Sequence, residues 1–520
     1  MKRDLAALDS QSFDVLVIGG GLVGAAIARD AARRGLSVAL VERDDFACGA
    51  SEALPRLVVG GVGHRLPRGL GRLRRMLFEA ATWSRIAPHR IVPQRCMVPL
   101  TSRNPARAAA MRLALDLYGR AGSAVLPGMG WPVERLSAEE AAEREPALDQ
   151  PMLRGALVYP DWRIDEPERL VLALLKDAAA YGAVVANHTE CDSLVLLNGK
   201  LSGARFFDRI GGAGLEVWSP VVVNATGAWS EATAARLLDS GSGGGTRLTR
   251  EIRIVTSSIA GEHALVFPEG FAGDMTIVPW RGLSVVGTAA EVFDDDPASA
   301  AAEAHEIDRL AERVAELVPS LQGTLDYAAD GFAAVRIRPR GLGGGADQAH
   351  LGSLTDHTED GFAGFVSVGG GHWTTVRPIA ERVVDRVVAM LGRPARPCET
   401  ADAVLADTMD GDPDAFAAAW RRHNPYWPAG EIETWALAYG AELPEVMARA
   451  GPALRPNEQA REAARFAYAR DEEMAILPED FARRLARWYE VWRPGVALRA
   501  AEWLARRREA SDPAPWEMGR

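Results

Sequence analysis

One stretch decides what this chain can fold into: residues 13–51, FDVLVIGGGLVGAAIARDAARRGLSVALVERDDFACGAS. Val15, Leu16, Val17 and Ile18 form a short apolar run suited to a parallel strand buried on both faces. Gly19, Gly21 and Gly24 then supply the G-x-G-x-x-G spacing. The first glycine lets the chain turn tightly, the second admits a pyrophosphate against the backbone, and the third lets helix and strand pack closely. Amides at the start of the following helix face the phosphates. The helix runs to about Arg34, Gly35 ends it, and Ser37–Val41 returns as the second strand. Glu42, at the tip of that strand, can accept hydrogen bonds from both ribose hydroxyls and would repel a 2′-phosphate. The loop that follows, with Arg43 at its start and Ser51 at its end, closes over whatever the turn has bound. Strand, glycine turn, helix, strand and acid in this order predict dinucleotide binding.

The chain has 520 residues, enough to bury large cores and to hold more than one domain. Its 48% hydrophobic and 25% charged residues are those of a soluble globular protein, and the formal net charge of −11 argues against a nucleic-acid partner. No apolar stretch is long enough to span a bilayer, and no signal-peptide pattern precedes the first strand. Cys48, Cys96, Cys191 and Cys398 show no C-x-x-C and no metal-ligand spacing, which predicts reduced thiols, no metal and a cytoplasmic location.

Helical patterns follow near Leu77–Ile86 and Pro105–Ala121. Residues 151–160 read as a strand, and Asp165 and Glu166 open a helix through Tyr181. Three β-type segments come next (Val184–Asn187, Ser193–Leu197, Ala204–Phe207). A single strand is then predicted over Glu216–Asn224, ending in Ala225-Thr226-Gly227, where the glycine permits close backbone approach to a dinucleotide. Alternation at Ala264–Phe267, Met275–Pro279 and Leu283–Thr288 predicts an antiparallel sheet in a second lobe, with a helical insertion over 297–317. Strand, glycine turn and helix recur over 361–391. Gly370 and Gly371 open that helix, so its amides, with Trp373 and Thr374 beside them, can contact the cofactor near an isoalloxazine ring. Two such turns with a substrate lobe between them fit FAD better than NAD. Residues 396–413 read as a linker. From Asp414 onward every long segment has helical period, with tryptophans at 420, 427, 435, 488, 492 and 503 forming an aromatic core. The expected architecture is α/β plus α+β: a Rossmann-type FAD-binding domain with an interleaved antiparallel substrate domain over residues 1–395, then an all-helical C-terminal domain over 414–520.

The residues resemble the FAD-dependent glycerol-3-phosphate dehydrogenases, within the group that shares a fold with D-amino-acid oxidase. The matching motifs are the opening stretch, then LVVGG, NATGAW, TIVPWRGLSVVGT and VGGGHWTTVRPIAE. In the helical tail, YGAELPEVMARAG and REAARFAYARDEEMAI are similar to that family's C-terminal domain. The resemblance implies FAD at the glycine turn with Glu42 on ribose, and hydride transfer from a small polyol phosphate to flavin N5. It also implies an electron acceptor such as a quinone, met by peripheral contact with the inner face of the membrane.

The departures fall on substrate-facing positions. Where the family has K-L-I-H-G-G-L-R-Y, this chain has RLVVGGVGH, so the lysine is Arg56, the histidine Val59, the arginine Gly63 and the tyrosine His64. Where the family has lysine in its second glycine turn, this chain has His372. A family histidine expected near Ser257–Ile259 is missing. Removing a hydroxyl proton needs a base, and a neutral imidazole can serve near pH 7, so His372 and His64 are the candidates. A phosphate needs cations, and Arg336, at the family's arginine position in AAVRIRP, is the first candidate, with Arg338, Arg56 and Arg65 as competitors. The replaced cations leave two alternatives open: an FAD oxidase or dehydrogenase of another small hydroxy or amino acid, and a non-catalytic flavoprotein subunit.

Overall fold

The computed structural model describes the chain except residues 52–53, 55, 60–69, 102–104, 127–131, 240–245, 269–273, 288–290, 323–326, 340–351, 410, 429, 452–455, 486–494 and 512–520. The apolar runs of the opening stretch become adjacent parallel strands, Val15–Ile18 and Val38–Val41, every residue of which is buried. They lie inside a six-stranded sheet in the order 353–356, 365–369, 222–224, 15–18, 38–41, 184–186. All neighbours are parallel except the antiparallel edge strand Ser353–Asp356. Helix Leu22–Arg33 covers one face, packed between helices Pro167–Ala180 and Val376–Leu391. Its arginines are buried because each finds a carboxylate: Arg29 and Arg33 both donate to Asp177, at 2.5 and 2.7 Å.

A second, nine-stranded sheet is antiparallel throughout except where Ala264–Pro268 runs parallel to Ile91–Thr101. It includes the three alternating segments predicted for the second lobe, now 264–268, 274–280 and 283–287. A three-stranded meander, 189–197, 200–208 and 214–218, completes the β-structure among the described residues.

Three features depart from the sequence expectation. The strand predicted over Glu216–Asn224 is two strands in different sheets: Gly214–Trp218 pairs antiparallel in the meander, and Val222–Asn224 enters the parallel sheet. Pro220, which has no N–H to give a ladder, sits at the break. Strand Ile91–Thr101 was hidden by Pro93 and Pro99. Its full partner is Leu153–Ile164, while its other edge is paired only at Cys96 and Met97, so little is asked of the prolines there. Strand Thr246–Ser257 was hidden by Arg247, Arg250, Glu251 and Arg253, which interrupt the apolar alternation. Arg250 is answered by Glu306, and Arg253 by Glu251.

The C-terminal helices pack around aromatic rings, with Trp427 against Trp435 at 5.0 Å and Tyr439 against Tyr468 at 5.5 Å, each edge-on. Phe466, Phe481 and Trp503 form a second cluster. Trp488 and Trp492 lie outside the described residues. The described residues of 396–412 carry no helix or strand, yet they are packed down. Arg29 donates to the carbonyls of Thr400 and Ala403, and the buried Asp407 receives Arg90. The helical region is fixed to the parallel-sheet domain by one buried ion pair, Arg169 donating to Glu473 at 2.7 Å, and one half-buried pair, Lys176 reaching Glu442 at 2.8 Å.

Burial raises the cost of charging Glu473, but Arg169, Lys176 and Arg484 outweigh it and hold its carboxyl down at about 2. A depressed folded-state value contributes stability above the unfolded value near 4.5, which is lost as pH falls toward 2. The expected contribution is about 3 kcal/mol. Resistance to thermal unfolding should therefore fall steeply from pH 5 to pH 3. Glu473→Gln should unfold at lower temperature at pH 6 and show a shallower acid decline; an unchanged slope would contradict this assignment.

Candidate functional site

The three glycines of the first turn do three different jobs. Gly19 has φ +114, and a Cβ there would meet the Ala225 carbonyl oxygen at 2.6 Å. A Cβ on Gly24 would lie 1.9 Å from the Gly19 carbonyl oxygen, so helix and strand approach as closely as they do only because that side chain is absent. Gly21 stands at the N-cap of helix Leu22–Arg33 with no side-chain cap. Gly21, Leu22 and Val23 line a groove at the carboxyl ends of the parallel strands, so the positive end of a 12-residue helix opens into it. Ser51 closes over this point, its Oγ accepting from the Leu22 amide at 3.0 Å.

Glu42 lines the same groove. Its carboxylate accepts from the amides of Gly20 at 2.7 Å and Asp44 at 2.9 Å. Burial pushes its carboxyl above the ordinary glutamate value, against the opposing pull of those two amides. Arg43 lines the groove beside it, with its guanidinium 5.3 Å from the centre of the Trp229 ring.

The opposite wall is the strand end Ala225-Thr226-Gly227 and Trp229. Asn224 fastens this corner: its side-chain amide donates to the Ser230 carbonyl at 2.8 Å, and its Oδ1 accepts from Thr226 Oγ1 at 2.7 Å. The Trp229 indole N–H is buried without a hydrogen-bond partner among the described residues. The second glycine turn adds Gly370 and Gly371. Gly371 has φ +132, and a Cβ there would meet Val23 at 2.9 Å, so the two glycine turns are packed against each other.

Of the thirteen residues predicted to hold the cofactor, ten line this one groove: Gly19, Gly21, Glu42, Arg43, Ser51, Ala225, Thr226, Gly227, Gly370 and Gly371. Gly24, Trp373 and Thr374 stand behind its wall; Trp373 is fully buried and its carbonyl accepts from Trp83. An uncapped helix start, a glycine in place of a side chain, an acid at the strand tip and an unanswered indole N–H together suit a dinucleotide.

His372 follows Gly371 but is 2% exposed and is not among the residues lining the groove. Its backbone holds the turn, with its amide donating to Thr375 Oγ1 at 2.9 Å and its carbonyl accepting from Thr375 and Val376. His64 and Arg65 lie outside the described residues. Arg56 is buried at the junction of the lobes, its guanidinium 4.7 Å from the Trp280 ring centre and donating to the Asp165 carbonyl, and it does not line the groove.

Thr249 and Glu251 reach the groove from the antiparallel sheet, and sequence reasoning missed both. Glu251 is 7% exposed and accepts from Arg253 at 2.5 Å. The signal was present in TREIR, where charged residues two apart share one face of a strand, but only a recognised strand gives that spacing meaning. Arg336 lies directly opposite Thr249 in register on the neighbouring strand Tyr327–Pro339, and Arg338 lies opposite Arg247.

Comparison with known proteins places these features in context. Residues 14–386 match the family model described as FAD dependent oxidoreductase. The chain is similar to a glycerol-3-phosphate dehydrogenase of Synechocystis sp., at 27% identity over 86% of this chain and 82% of the relative. It is also similar to an aerobic glycerol-3-phosphate dehydrogenase of Staphylococcus saprophyticus, at 30% identity over 74% and 68%. Among solved structures, the glycerol-3-phosphate dehydrogenase from Bacillus halodurans complexed with FAD superposes with a TM-score of 0.72 at 25% identity, covering 96% of this chain and 95% of that one.

The different duties of the glycines are separable by substitution. Gly24→Ala should destabilise the cofactor-free protein by about 1–3 kcal/mol, because its methyl meets rigid backbone. Gly21→Ala meets only the Ser51 hydroxyl at 3.0 Å and should cost less than about 1 kcal/mol. Urea unfolding of the two apoproteins measures this, and equal losses would contradict it.

Proposed function

The chain belongs to the FAD-dependent oxidoreductase family, and from that premise we propose that it oxidises glycerol 3-phosphate or a similar small polyol phosphate. The observation that carries this reading is the meeting of two sheets at one groove: the parallel sheet brings the glycine turns and Glu42, and the antiparallel sheet brings Thr249 and Glu251. When bound, FAD supplies the hydride acceptor. Gly21 and the uncapped helix start would hold its pyrophosphate, Glu42 a ribose, and Trp229 and Arg43 the end of the groove nearest the meander.

The protein's own task is to orient the alcohol and take its proton. Arg336, opposite Thr249 in register, is the cation proposed for the substrate phosphate. Two groups compete as proton acceptor. Glu251 lines the groove, whereas His372 is sealed one residue beyond Gly371, so geometry favours Glu251. His64 remains a proposal from sequence alone.

The acceptor of the electrons is proposed to be a quinone met at a membrane surface. No described helix is long and apolar enough to cross a membrane. Helices Leu70–Ile86 and Pro105–Val125 pack together, and they expose Phe78, Leu113 and Leu117 alongside Arg74, Arg75, Arg112 and Arg120. Leu113 and Leu117, one turn apart, share a helix face. Apolar side chains among arginines suit the interface of an anionic bilayer.

Anaerobic addition of substrates to the purified yellow protein tests the activity. Glycerol 3-phosphate should bleach the flavin at lower concentration than glycerol, glycine or L-proline; bleaching by an amino acid alone would favour the amine-oxidising alternative, and bleaching by none a non-catalytic subunit. Glu251→Gln should slow bleaching roughly a hundredfold with FAD retained. If His372→Ala does so instead, the role passes to the imidazole. Replacing both Leu113 and Leu117 with Asp should reduce cosedimentation with anionic vesicles about tenfold or more, and unchanged binding would remove this face from the account.

A further inference from the structure

The loop that carries Glu42, Arg43, Asp44, Ala47 and Cys48 into the groove has at its centre a residue that faces the other way. Asp45 is 2% exposed and does not line the groove. Its carboxylate takes a two-pronged contact from Arg484 of the C-terminal helical region, Nη2 to Oδ1 at 2.6 Å and Nη1 to Oδ2 at 2.7 Å. Arg483 adds a third contact at 2.7 Å, and the Asn187 side-chain amide a fourth at 3.0 Å. The two arginines are 438 and 439 residues away in sequence.

The attachment continues on both sides. Asn187 also donates to the Met474 carbonyl, and Arg484 donates to the Glu473 carbonyl, so the arginine is itself held. His188 donates its amide to the Asp44 carbonyl, and its Nε2 lies 2.9 Å from Asp480 Oδ2. Thr189 donates its amide to the Glu42 carbonyl. Ala47 is held at φ +63, a conformation a non-glycine residue keeps only when its surroundings fix it, and its amide bonds to the Gly20 carbonyl. Although Asp45, His188 and Asp480 stand close enough together to suggest a cation site, the two arginines on Asp45 already supply the positive charge. Those arginines outweigh burial and hold the Asp45 carboxyl down at about 2, so it stays ionised.

We propose that Asp45 and Arg484 are positioning residues that latch the cofactor loop to the C-terminal helices, so that this distant region sets how tightly FAD is retained. The inference rests on the groove being the FAD site. A bidentate carboxylate–guanidinium pair fixes orientation as well as distance, and Glu42 to Asp44 on one side of Asp45, with Ala47 and Cys48 on the other, line the groove. Loop order and cofactor binding are then two halves of one equilibrium, and each must strengthen the other.

The test titrates apoprotein with FAD, following quenching of flavin fluorescence. Arg484→Gln should raise the FAD Kd roughly tenfold, and Arg484→Lys, which keeps the charge but not the fork, should recover part of it. Hydrogen exchange on the wild-type protein decides the matter if Arg484→Gln does not fold. Removing FAD should speed exchange in residues 42–48 and in 474–485 together. An unchanged Kd in Arg484→Gln, or exchange in 474–485 indifferent to FAD, would overturn the latch. Gly21→Val serves as the control: it should abolish FAD binding, and full retention there would overturn the groove assignment rather than the coupling alone.

Discussion

The structure depends on how closely two pieces of backbone can approach. At Gly24 a single methyl would sit 1.9 Å from the Gly19 carbonyl oxygen. That contact seats the first long helix on the parallel sheet, which in turn aims the positive end of the helix at the ends of the strands. Glu42 arrives at the same place because its strand is the immediate neighbour, in register from Val15 with Val38 to Ile18 with Val41. The second glycine turn repeats the device, with Gly371 lying against Val23 of that same helix. The groove is the space left where side chains are missing.

This half of the site was legible in the sequence because its parts are local. Strand, turn, helix and acid fall within thirty residues, and the spacing of glycines reports directly on backbone approach. Strand Ser353–Asp356 and the two-sheet split of 216–224 were not legible, since pairing partners far apart in sequence decide which sheet a short strand joins. Pro220 was the one local clue to the split. Asn224 shows an intermediate case: its place in NATGAW marked the corner, but not that its side chain ties strand, turn and helix together.

The substrate half was much less legible. Glu251 and Arg253 looked like breaks in an apolar pattern, and only the strand Thr246–Ser257 turns them into a buried pair on one face. His372 was singled out by its motif position, yet burial behind Gly371 gives its backbone a role in the turn that motif comparison could not reveal. The same limit applies to the C-terminal region. Its aromatic core could be read from helical periodicity, whereas the contacts of Arg169, Arg484 and Lys176 with distant acids could not. Buried ion pairs of this kind are strong determinants of which surfaces meet, because an unpaired partner would be costly to leave in the interior. Residues 396–413 illustrate the point. Their composition is that of a linker, but Asp407 and its arginine pin them to the core.

In the proposed chemistry, the alcohol carbon of a polyol phosphate is presented, from the antiparallel side, to FAD held in this groove. The most direct measurement is single-turnover flavin bleaching, in the absence of oxygen, with glycerol 3-phosphate carrying deuterium on carbon 2. Bleaching by the light substrate, measurably slowed by the heavy atom, is the expected result. A flavin that stays fully oxidised with glycerol 3-phosphate, yet bleaches with an amino acid, would contradict the claim.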